Sequence, residues 1–239
     1  MKMLIATPTR NIKEYCLREY LGMLSSLKIS DDIQADYLIV DNSDNNSYVE
    51  KIKSMCNGFK AEVVNIQFGK EVNTRKRLCD CYNYIRRVAL ERGYDYLFII
   101  EQDVIPPNDI TERLLSVNKD VVCAYYCRDT IYAKDVPMFW VDVVVGCINV
   151  HGNLKEHLMG FIDKNSIPKQ PFRVRGSGLG CVMIKREVLR NVKFMYDEDW
   201  TNHPDYFFSE WCEAMGYEMV VVPTECKHIY EQWSKEVVY

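Results

Sequence analysis

The sequence predicts an α/β fold in which a mostly parallel central sheet is flanked by helices. Short apolar runs alternate with segments of helical period, which is the rhythm of βαβ units. The runs Tyr37–Val40 and Tyr96–Ile100 show no polar alternation, as expected for strands covered on both faces. Acidic residues follow both runs directly, and open α/β sheets bind ligands beyond the carboxyl ends of their strands. We therefore expect a site at that edge of the sheet.

The first half of the chain predicts a regular series of strands and helices. Pro8 is expected to end the first strand, because proline supplies no N–H to a ladder, and Gly93 is expected to end the longest helix. The predicted strands are Met1–Thr7, Tyr37–Val40, Glu62–Ile66 and the run that begins at Tyr96. The predicted helices end near Leu27, Asn57 and Arg92, the last of them beginning at Asn73.

The regular rhythm is lost in the second half. A helix is predicted to end near Val117, and residues 149–171 have no clear period and are predicted as loops. The predicted strands are Asp120–Tyr126, Met138–Val145 and Gly180–Lys185. No linker, internal repeat or low-complexity tract divides the chain, so we predict one domain over residues 1–239 with a mixed second half.

Composition argues against several classes of function. The 239 residues carry a formal net charge of −4, which argues against binding of nucleic acid through a broad positively charged surface. No leader precedes Met3–Ala6 and no run of about 18 apolar residues occurs, so neither a signal peptide nor a membrane span is expected. Peripheral contact with a membrane stays open. The ten cysteines form no C-x-x-C pair and sit mostly in apolar segments, which favours free thiols in a cytoplasmic protein over disulfides.

The stretch after the run Tyr96–Ile100 is the strongest candidate for a site. Glu101 and Asp103 stand where the run ends, and Pro106 and Pro107 prevent the strand from continuing. Two carboxylates at this position are placed to hold a metal ion or a ligand hydroxyl.

This stretch belongs to an ordered set of motifs. The segments are Ile5–Asn11, Val40–Asp44, Asn73–Arg75, Glu101–Asp103, Arg175–Gly180, Lys185–Leu189, Pro204–Phe208, Gly216–Glu218 and finally His228. In this order and spacing they resemble motifs of the GT-A glycosyltransferases, which have a Rossmann-like sheet, and especially of the family 2-like enzymes. Two positions depart from the pattern. Glu101 stands for the first acid of the D-x-D motif, and Pro204 for an acid that precedes Asp205 in the family.

The resemblance implies an enzyme that moves a sugar from a UDP- or GDP-sugar to a hydroxyl of a glycan, lipid or protein. It assigns the nucleotide to residues 1–117 and the acceptor to residues 118–239. The residues that it places at the donor are Thr7, Pro8, Arg10, Asp41, Asn42, Asp44, Arg75, Glu101 and Gln102. Inversion at the anomeric carbon is favoured, and retention stays open.

The resemblance also implies a divalent metal held by Asp103 and His228. A departing diphosphate builds up negative charge, which a divalent ion offsets. Oxygen ligands suit Mg²⁺ or Mn²⁺, and an imidazole ligand tilts the choice towards Mn²⁺. The alternatives are a helix cap for Asp103 and a surface position for His228.

The donor residues also have simpler interpretations. Asp41 would recognise the base or the ribose, yet Asp41–Asn46 fits a plain turn and helix cap equally well. Arg75 would contact the diphosphate or clamp Asp41 or Asp103, while its alternative is a solvated helix face.

Asp205 is the candidate catalytic base for the acceptor hydroxyl. Pro204 suits the first position of a helix, which places Asp205 in the first turn. The helix dipole there favours the ionised form, so burial by neighbours such as Phe207 is required to raise the pKa. The alternative is a helix-start aspartate with no further role.

Candidate acceptor residues lie in and beyond a glycine-rich turn. Missing side chains near Gly178 and Leu179 would let a sugar ring approach the backbone, and Trp200 would stack on it. A plain tight turn and core packing are the alternatives.

Two other functions compete with sugar transfer. A nucleotidyltransferase would want a glycine-rich phosphate loop after the first strand, which Thr7–Asn11 does not provide. A carbohydrate-binding protein without turnover stays open, because Pro204 departs from the family pattern and a fold does not fix a function.

Overall fold

A computed structural model of the chain describes residues 1–56, 58–130, 133–145, 156–199 and 202–229. The strands are β1 (Lys2–Thr9), β2 (Gln34–Asp41), β3 (Ala61–Asn65), β4 (Tyr96–Ile100), β5 (Val104–Ile105), β6 (Val121–Arg128), β7 (Val136–Pro137), β8 (Phe139–Val145), β9 (Glu156–Gly160), β10 (Phe172–Arg173), β11 (Gly176–Ser177), β12 (Cys181–Lys185) and β13 (Met219–His228). The helices are α1 (Leu17–Ser26), α2 (Ser47–Met55), α3 (Thr74–Glu91), α4 (Ile110–Val117), α5 (Arg186–Asn191) and α6 (Pro204–Ala214), with short 3-10 helices at Asn11–Cys16 and Lys164–Ser166.

The central sheet has the strand order β10-β13-β6-β12-β4-β1-β2-β3. Strands β4, β1, β2 and β3 are parallel, and β13 is parallel to β6. Strand β12 runs antiparallel to both of its neighbours, β4 and β6. A smaller antiparallel sheet with the order β11-β8-β9 belongs to the second half. The predicted α/β class, with a regular first half and a mixed second half, is confirmed.

Two apolar layers cover the central sheet and explain the unbroken apolar run of β4. Leu97 and Ile99 pack in one layer with residues of α3, α5 and α6. Phe98 and Ile100 pack in the other with residues of α1, α2 and α4. Because successive side chains of a strand point to opposite faces, both faces of β4 must be apolar. The polar residues that follow β4 therefore emerge at the edge of the sheet.

The first strand continues through Pro8 to Thr9, so the prediction that Pro8 ends it is wrong. The carbonyls of Met1 and Thr9 both accept hydrogen bonds on the β2 side, and the groups of a strand alternate, so the Pro8 nitrogen faces the β4 side. Pairing with β4 ends at Ala6. The missing N–H of Pro8 therefore costs no ladder hydrogen bond.

Strand β9 and the 3-10 helix Lys164–Ser166 lie within residues 149–171, where only loops are predicted. Strand β9 forms by pairing with β8, which is a tertiary contact that local periodicity does not reveal. In the described part of the chain, no helix combines the length and the apolar character required to cross a bilayer.

Candidate active site

The acid turn, Glu101–Asp103, directly follows β4 at the carboxyl edge of the sheet. The N–H of Glu101 donates to the carbonyl of Gly180 at 2.9 Å, and the carbonyl of Asp103 accepts from the N–H of Ile229 at 2.8 Å. Backbone hydrogen bonds thus hold the acid turn between the start of β12 and the end of β13. The end of β13 carries His228, so the structure brings Asp103 and His228 together, as the sequence analysis expects.

The carboxylate of Asp103 faces two nitrogen groups. Its Oδ1 lies 2.8 Å from Nζ of Lys13, and its Oδ2 lies 3.7 Å from Nε2 of His228. Burial alone would raise the pKa of the Asp103 carboxyl, but Lys13 and His228 outweigh burial and hold this pKa well below its usual range. Asp103 is therefore an anion at neutral pH although the residue is buried.

Lys13 is a site residue that the sequence motifs do not reveal. It lies in the 3-10 helix after β1, and its Nζ is also 3.8 Å from Oε2 of Glu101. Burial lowers the pKa of the Lys13 ammonium, but the charges of Asp103 and Glu101 outweigh burial and raise the pKa. The sequence signal for Lys13 is its position just beyond β1, the strand that pairs with β4.

The pair Asp103 and His228 fits a divalent ion that takes two protein ligands. Nδ1 of His228 lies 2.9 Å from the carbonyl oxygen of Cys127. Because a carbonyl only accepts, this nitrogen carries a proton, and Nε2 faces the carboxylate of Asp103. A backbone carbonyl orients many metal-binding imidazoles in this way. Within the described ranges no third acid, thiol or imidazole joins this pair, so phosphate oxygens and water would complete the coordination shell.

A different group of potential metal ligands, Cys127, Asp135 and Glu225, lies beside this pair. Lys164 already bridges its two carboxylates, at 3.0 Å from Asp135 and 2.7 Å from Glu225. Both acids are exposed, and the lysine offsets their charge. We assign no metal to this group.

Gln102 and Thr7 are buried, and their side chains hold the site together rather than face it. Gln102 Nε2 donates to the carbonyl of Lys13 at 2.5 Å, and Gln102 Oε1 accepts from the Tyr48 hydroxyl at 3.1 Å and from Thr9 Oγ1. The hydroxyl of Thr7 donates to the carbonyl of Ile100 at 2.8 Å. The polar atoms of the Gln102 side chain are thus used inside the protein, and contact of Gln102 with the donor stays a prediction. For Thr7, and for the buried Pro8, only backbone groups stay candidates for the donor.

Asp41 organises the turn that follows β2. The residue is 0% exposed, and its carboxylate accepts from the N–H and hydroxyl of Ser43, at 3.0 and 2.6 Å, and from Nδ2 of Asn65 at 2.7 Å. Burial raises the pKa of Asp41, against the lowering effect of these hydrogen bonds. These groups enclose the carboxylate, and direct contact of Asp41 with a base or ribose stays a prediction. Asn42 is also buried, with its Nδ2 3.6 Å from the Cys81 sulfur.

Arg77, which carries no motif, clamps this turn. Arg77 is 2% exposed, and its guanidinium donates to Asp44 Oδ1 and to the carbonyl of Gly69, both at 2.8 Å. Arg10 approaches the other carboxylate oxygen of Asp44 at 3.6 Å. The hydrogen bond from Arg77 is the main reason that the pKa of Asp44 is lowered. The sequence shows four arginines on this helix and gives no sign of which one is buried.

Arg75 lies on the same helix, α3, and its charge reaches a different part of the site. Burial and the Arg75 charge both lower the pKa of His203, the residue immediately before α6. Arg75 is thus near the start of α6, where Asp205 stands. Contact of Arg75 with a diphosphate stays a prediction.

Asp205 lies in the first turn of α6, which begins at Pro204 as predicted. Burial, assisted by the negative charge of Glu101, raises the pKa of Asp205 to about 6, while a hydrogen bond from the Tyr206 N–H lowers it. Glu101 itself accepts a hydrogen bond from the Tyr82 hydroxyl at 2.6 Å. Asp205 and the acid turn therefore belong to one electrostatic neighbourhood, and the pKa of Asp205 suits a general base near neutral pH.

The glycine-rich turn before β12 makes room for the ring of Tyr126. A Cβ on Gly178 would lie 2.3 Å from the Tyr126 hydroxyl oxygen, and a Cβ on Gly180 would lie 2.3 Å from Tyr126 Cε1. The absence of side chains at these glycines therefore leaves space for the ring of Tyr126. Approach of a sugar to Gly178 stays a prediction. Leu179 is 3% exposed and packs in the core, and its contact with an acceptor stays a prediction. Trp200 lies outside the described residues.

Tyr126 is a further residue that the motifs miss. Its ring packs edge-on against the imidazole of His228, with centroids 4.8 Å apart. Burial, together with the charges of Glu101, Asp205 and Asp103, raises the pKa of the Tyr126 hydroxyl. Tyr126 thus stands among the acids, the imidazole and the candidate base, on strand β6.

Neither a protein-family model nor the sequence of a curated protein matches this chain. Solved structures with the same fold do match. The structure of Staphylococcus aureus TarS 1-349 in complex with UDP-GlcNAc aligns with 100% of this chain and 62% of its own, at 14% identity and a TM-score of 0.57. GalNAc-T7 with UDP, GalNAc and Mn²⁺ aligns with 96% of this chain and 44% of its own, at 12% identity and a TM-score of 0.61.

A third similar structure is a putative nucleotide-diphospho-sugar transferase from Desulfovibrio desulfuricans G20. It aligns with 93% of this chain and 80% of its own, at 12% identity and a TM-score of 0.50. The chain thus spans 62% of the TarS fragment and less than half of GalNAc-T7. At these identities the likeness establishes the fold, and the chain has the GT-A fold that the sequence analysis expects.

Proposed function

We propose that this protein is a glycosyltransferase that moves a sugar from a nucleotide-sugar to a hydroxyl acceptor with inversion at the anomeric carbon. The main support for this proposal is that the candidate base lies near the two acids that would hold a cation. Asp205, with a pKa near 6, stands in the same electrostatic neighbourhood as Glu101 and Asp103 at the edge of a GT-A sheet.

The donor is a UDP-sugar, with a GDP-sugar as the second candidate. TarS and GalNAc-T7 support this choice, because their structures hold UDP-GlcNAc in one case and UDP with GalNAc in the other. The same likeness supports a hexosyl group as the group transferred. Arg10, Arg75 and the backbone of Thr7, Pro8 and Asn42 would contact the nucleotide, while Asp41, Asp44 and Arg77 hold the loops that carry them.

A divalent metal, Mn²⁺ or Mg²⁺, would be held by Asp103 and His228. The Mn²⁺ in GalNAc-T7 supports Mn²⁺ as the first choice. When bound, the ion would supply positive charge against the departing diphosphate. The Ile229 N–H holds the backbone carbonyl of Asp103 in place, and the Cys127 carbonyl orients the imidazole of His228.

Asp205 would act as the general base. Its carboxylate takes the proton of the acceptor hydroxyl while that oxygen forms a bond to the anomeric carbon. The bond from this carbon to the diphosphate oxygen breaks on the opposite side, and the electron pair leaves with the diphosphate. The charge on Glu101 favours the protonated form of Asp205, which makes the ionised form a stronger base.

The acceptor is a hydroxyl of a glycan, lipid or protein, bound by the second half of one domain over residues 1–239. Support for one domain comes from β4, which pairs with β1 on one side and β12 on the other. A cytoplasmic location is supported by the free thiols of the nine cysteines within the described residues.

The direct test is release of nucleoside diphosphate from a panel of UDP- and GDP-sugars with Mn²⁺. We expect release by the wild type and loss of release by Asp103→Asn, with Glu112→Gln, an exposed acid on α4, as the charge-matched control. Equal release by wild type and Asp103→Asn would remove Asp103 from the mechanism. If the protein binds a nucleotide-sugar but shows no turnover with any acceptor, the alternative of a carbohydrate-binding protein would be favoured over an enzyme.

A further inference from the structure

We propose that Lys13 is a built-in cation of the donor site, so that the protein binds a nucleoside diphosphate even when no divalent metal is present. This inference rests on the proposed function and refines it. The metal would then strengthen binding of the diphosphate and would not be a condition for it.

The ammonium of Lys13 stands at the centre of the acid turn. Nζ lies 2.8 Å from Asp103 Oδ1 and 3.8 Å from Glu101 Oε2, and the Lys13 side chain is 15% exposed. The two carboxylate oxygens of Asp103 thus face different groups, Oδ1 the ammonium of Lys13 and Oδ2 the imidazole of His228. A diphosphate bound near Asp103 would therefore also lie near this ammonium.

Two hydrogen bonds hold the backbone carbonyl of Lys13, and one of them comes from the acid turn. This carbonyl accepts from Gln102 Nε2 at 2.5 Å and from the Cys16 thiol at 3.1 Å. Gln102 is itself part of the acid turn. The lysine is therefore pre-positioned, and little conformational entropy is lost when a ligand meets it.

The charge balance explains why the ammonium matters. Glu101 and Asp103 carry two negative charges that would repel a diphosphate, and Lys13 offsets one of them. The same ammonium competes with a metal ion, because both bind the carboxylate of Asp103. Removing the Lys13 charge should therefore weaken metal-free diphosphate binding and strengthen metal binding.

These two opposite effects define the experiment. Binding of UDP and of GDP is measured by calorimetry in EDTA and again in Mn²⁺, and binding of Mn²⁺ alone is measured by electron paramagnetic resonance. The proteins are the wild type, Lys13→Met, Lys13→Arg and the control Lys51→Met. Lys51 is half exposed and pairs with Glu14 on the surface, so its loss removes the same charge elsewhere.

We expect the wild type to bind one of the two nucleotides in EDTA, and Lys13→Met to lose about tenfold or more of that affinity, as for loss of a charged hydrogen bond. Lys13→Met should bind Mn²⁺ more tightly than the wild type, a gain that a misfolded variant would not show. Lys13→Arg should keep most of the metal-free binding, and Lys51→Met should match the wild type.

Two results would overturn the proposal. The first refutes only the role of Lys13, and the second also refutes the proposed function. Nucleotide binding by the wild type only in Mn²⁺, with equal binding by Lys13→Met, would refute the role of Lys13 and leave the glycosyltransferase assignment intact. No binding of either nucleotide with or without Mn²⁺ would refute both.

Discussion

The ammonium of Lys13 lies 2.8 Å from the carboxylate of Asp103 although ninety positions separate the two residues in the sequence. Strands β1 and β4 are parallel neighbours, so their carboxyl ends deliver a lysine and two acids to one place. The acid turn therefore already holds one positive charge that comes from the protein.

The candidate base gives a prediction about pH. Because Asp205 must be ionised to accept a proton, kcat/KM should rise with pH through an apparent pKa of about 6 and then level off. Asp205→Asn should lower kcat by about 10²- to 10⁴-fold, the usual contribution of a general base. Glu210→Gln, on the same helix, should keep the pH profile, since Glu210 pairs with Arg175. Loss of activity in both variants alike would contradict the assignment.

The raised pKa of Asp205 also predicts an effect on stability. The ordinary value is 3.8, so the folded state holds this proton more tightly than the unfolded chain. The free energy of unfolding should therefore fall as pH rises from about 4 to about 6, because the unfolded state loses its proton first. Denaturant unfolding of wild type and Asp205→Asn across this range would show a smaller fall for the variant. An identical fall in both proteins would mean that Asp205 titrates normally.

The glycine-rich turn predicts a rescue by a second substitution. Gly178→Ala places its Cβ against the Tyr126 hydroxyl and should cost about 1 to 3 kcal/mol of stability, as overpacking does. Tyr126→Phe removes that oxygen and should restore most of this loss. The Cβ added by Gly180→Ala would instead contact a ring carbon of Tyr126, which phenylalanine also has. Tyr126→Phe should therefore not restore the stability lost in Gly180→Ala. Denaturant midpoints of the five variants test this, and equal rescue at both glycines would contradict the stated contacts.

Replacement of Arg77 should mainly reduce stability, whereas replacement of Arg75 should mainly weaken nucleotide binding. Arg77→Met leaves the carbonyls of Gly69 and Val72 without their donors and should cost about 2 to 4 kcal/mol of stability. Arg75→Met should cost less stability than Arg77→Met, because Arg75 is only half-buried, and should weaken UDP binding about tenfold, as loss of one charged hydrogen bond would. Thermal unfolding and calorimetry would distinguish the two. A reversed pattern would assign the phosphate-binding role to Arg77 and the structural role to Arg75.

Periodicity was sufficient for the fold because β4 is apolar on both faces. Leu97 and Ile99 face one layer and Phe98 and Ile100 the other, so the run had to be a buried strand ending at the acids. The effect of Pro8 on its strand depends on which neighbouring strand its nitrogen faces. That information lies in the strand order and not in the local sequence.

The candidate site was only partly predictable for a related reason. Asp103, His228 and Asp205 belong to ordered motifs, and the structure brings Asp103 to His228 and Asp205 to Glu101. Lys13 and Tyr126 carry no motif, and they join the site through contacts between distant strands. Gln102 sits inside a motif, yet its side chain turns inward, because the direction of one side chain in a turn follows from packing.

The position of a bound nucleoside diphosphate tests the central claim most directly. Crystals grown with UDP, with and without Mn²⁺, would locate the phosphates and, from its anomalous signal, the metal. We expect phosphate oxygens within hydrogen-bonding distance of the Lys13 ammonium, and Mn²⁺ between Asp103 and His228. A diphosphate bound away from the acid turn, with Asp103 and Lys13 still paired only to each other, would contradict the claim.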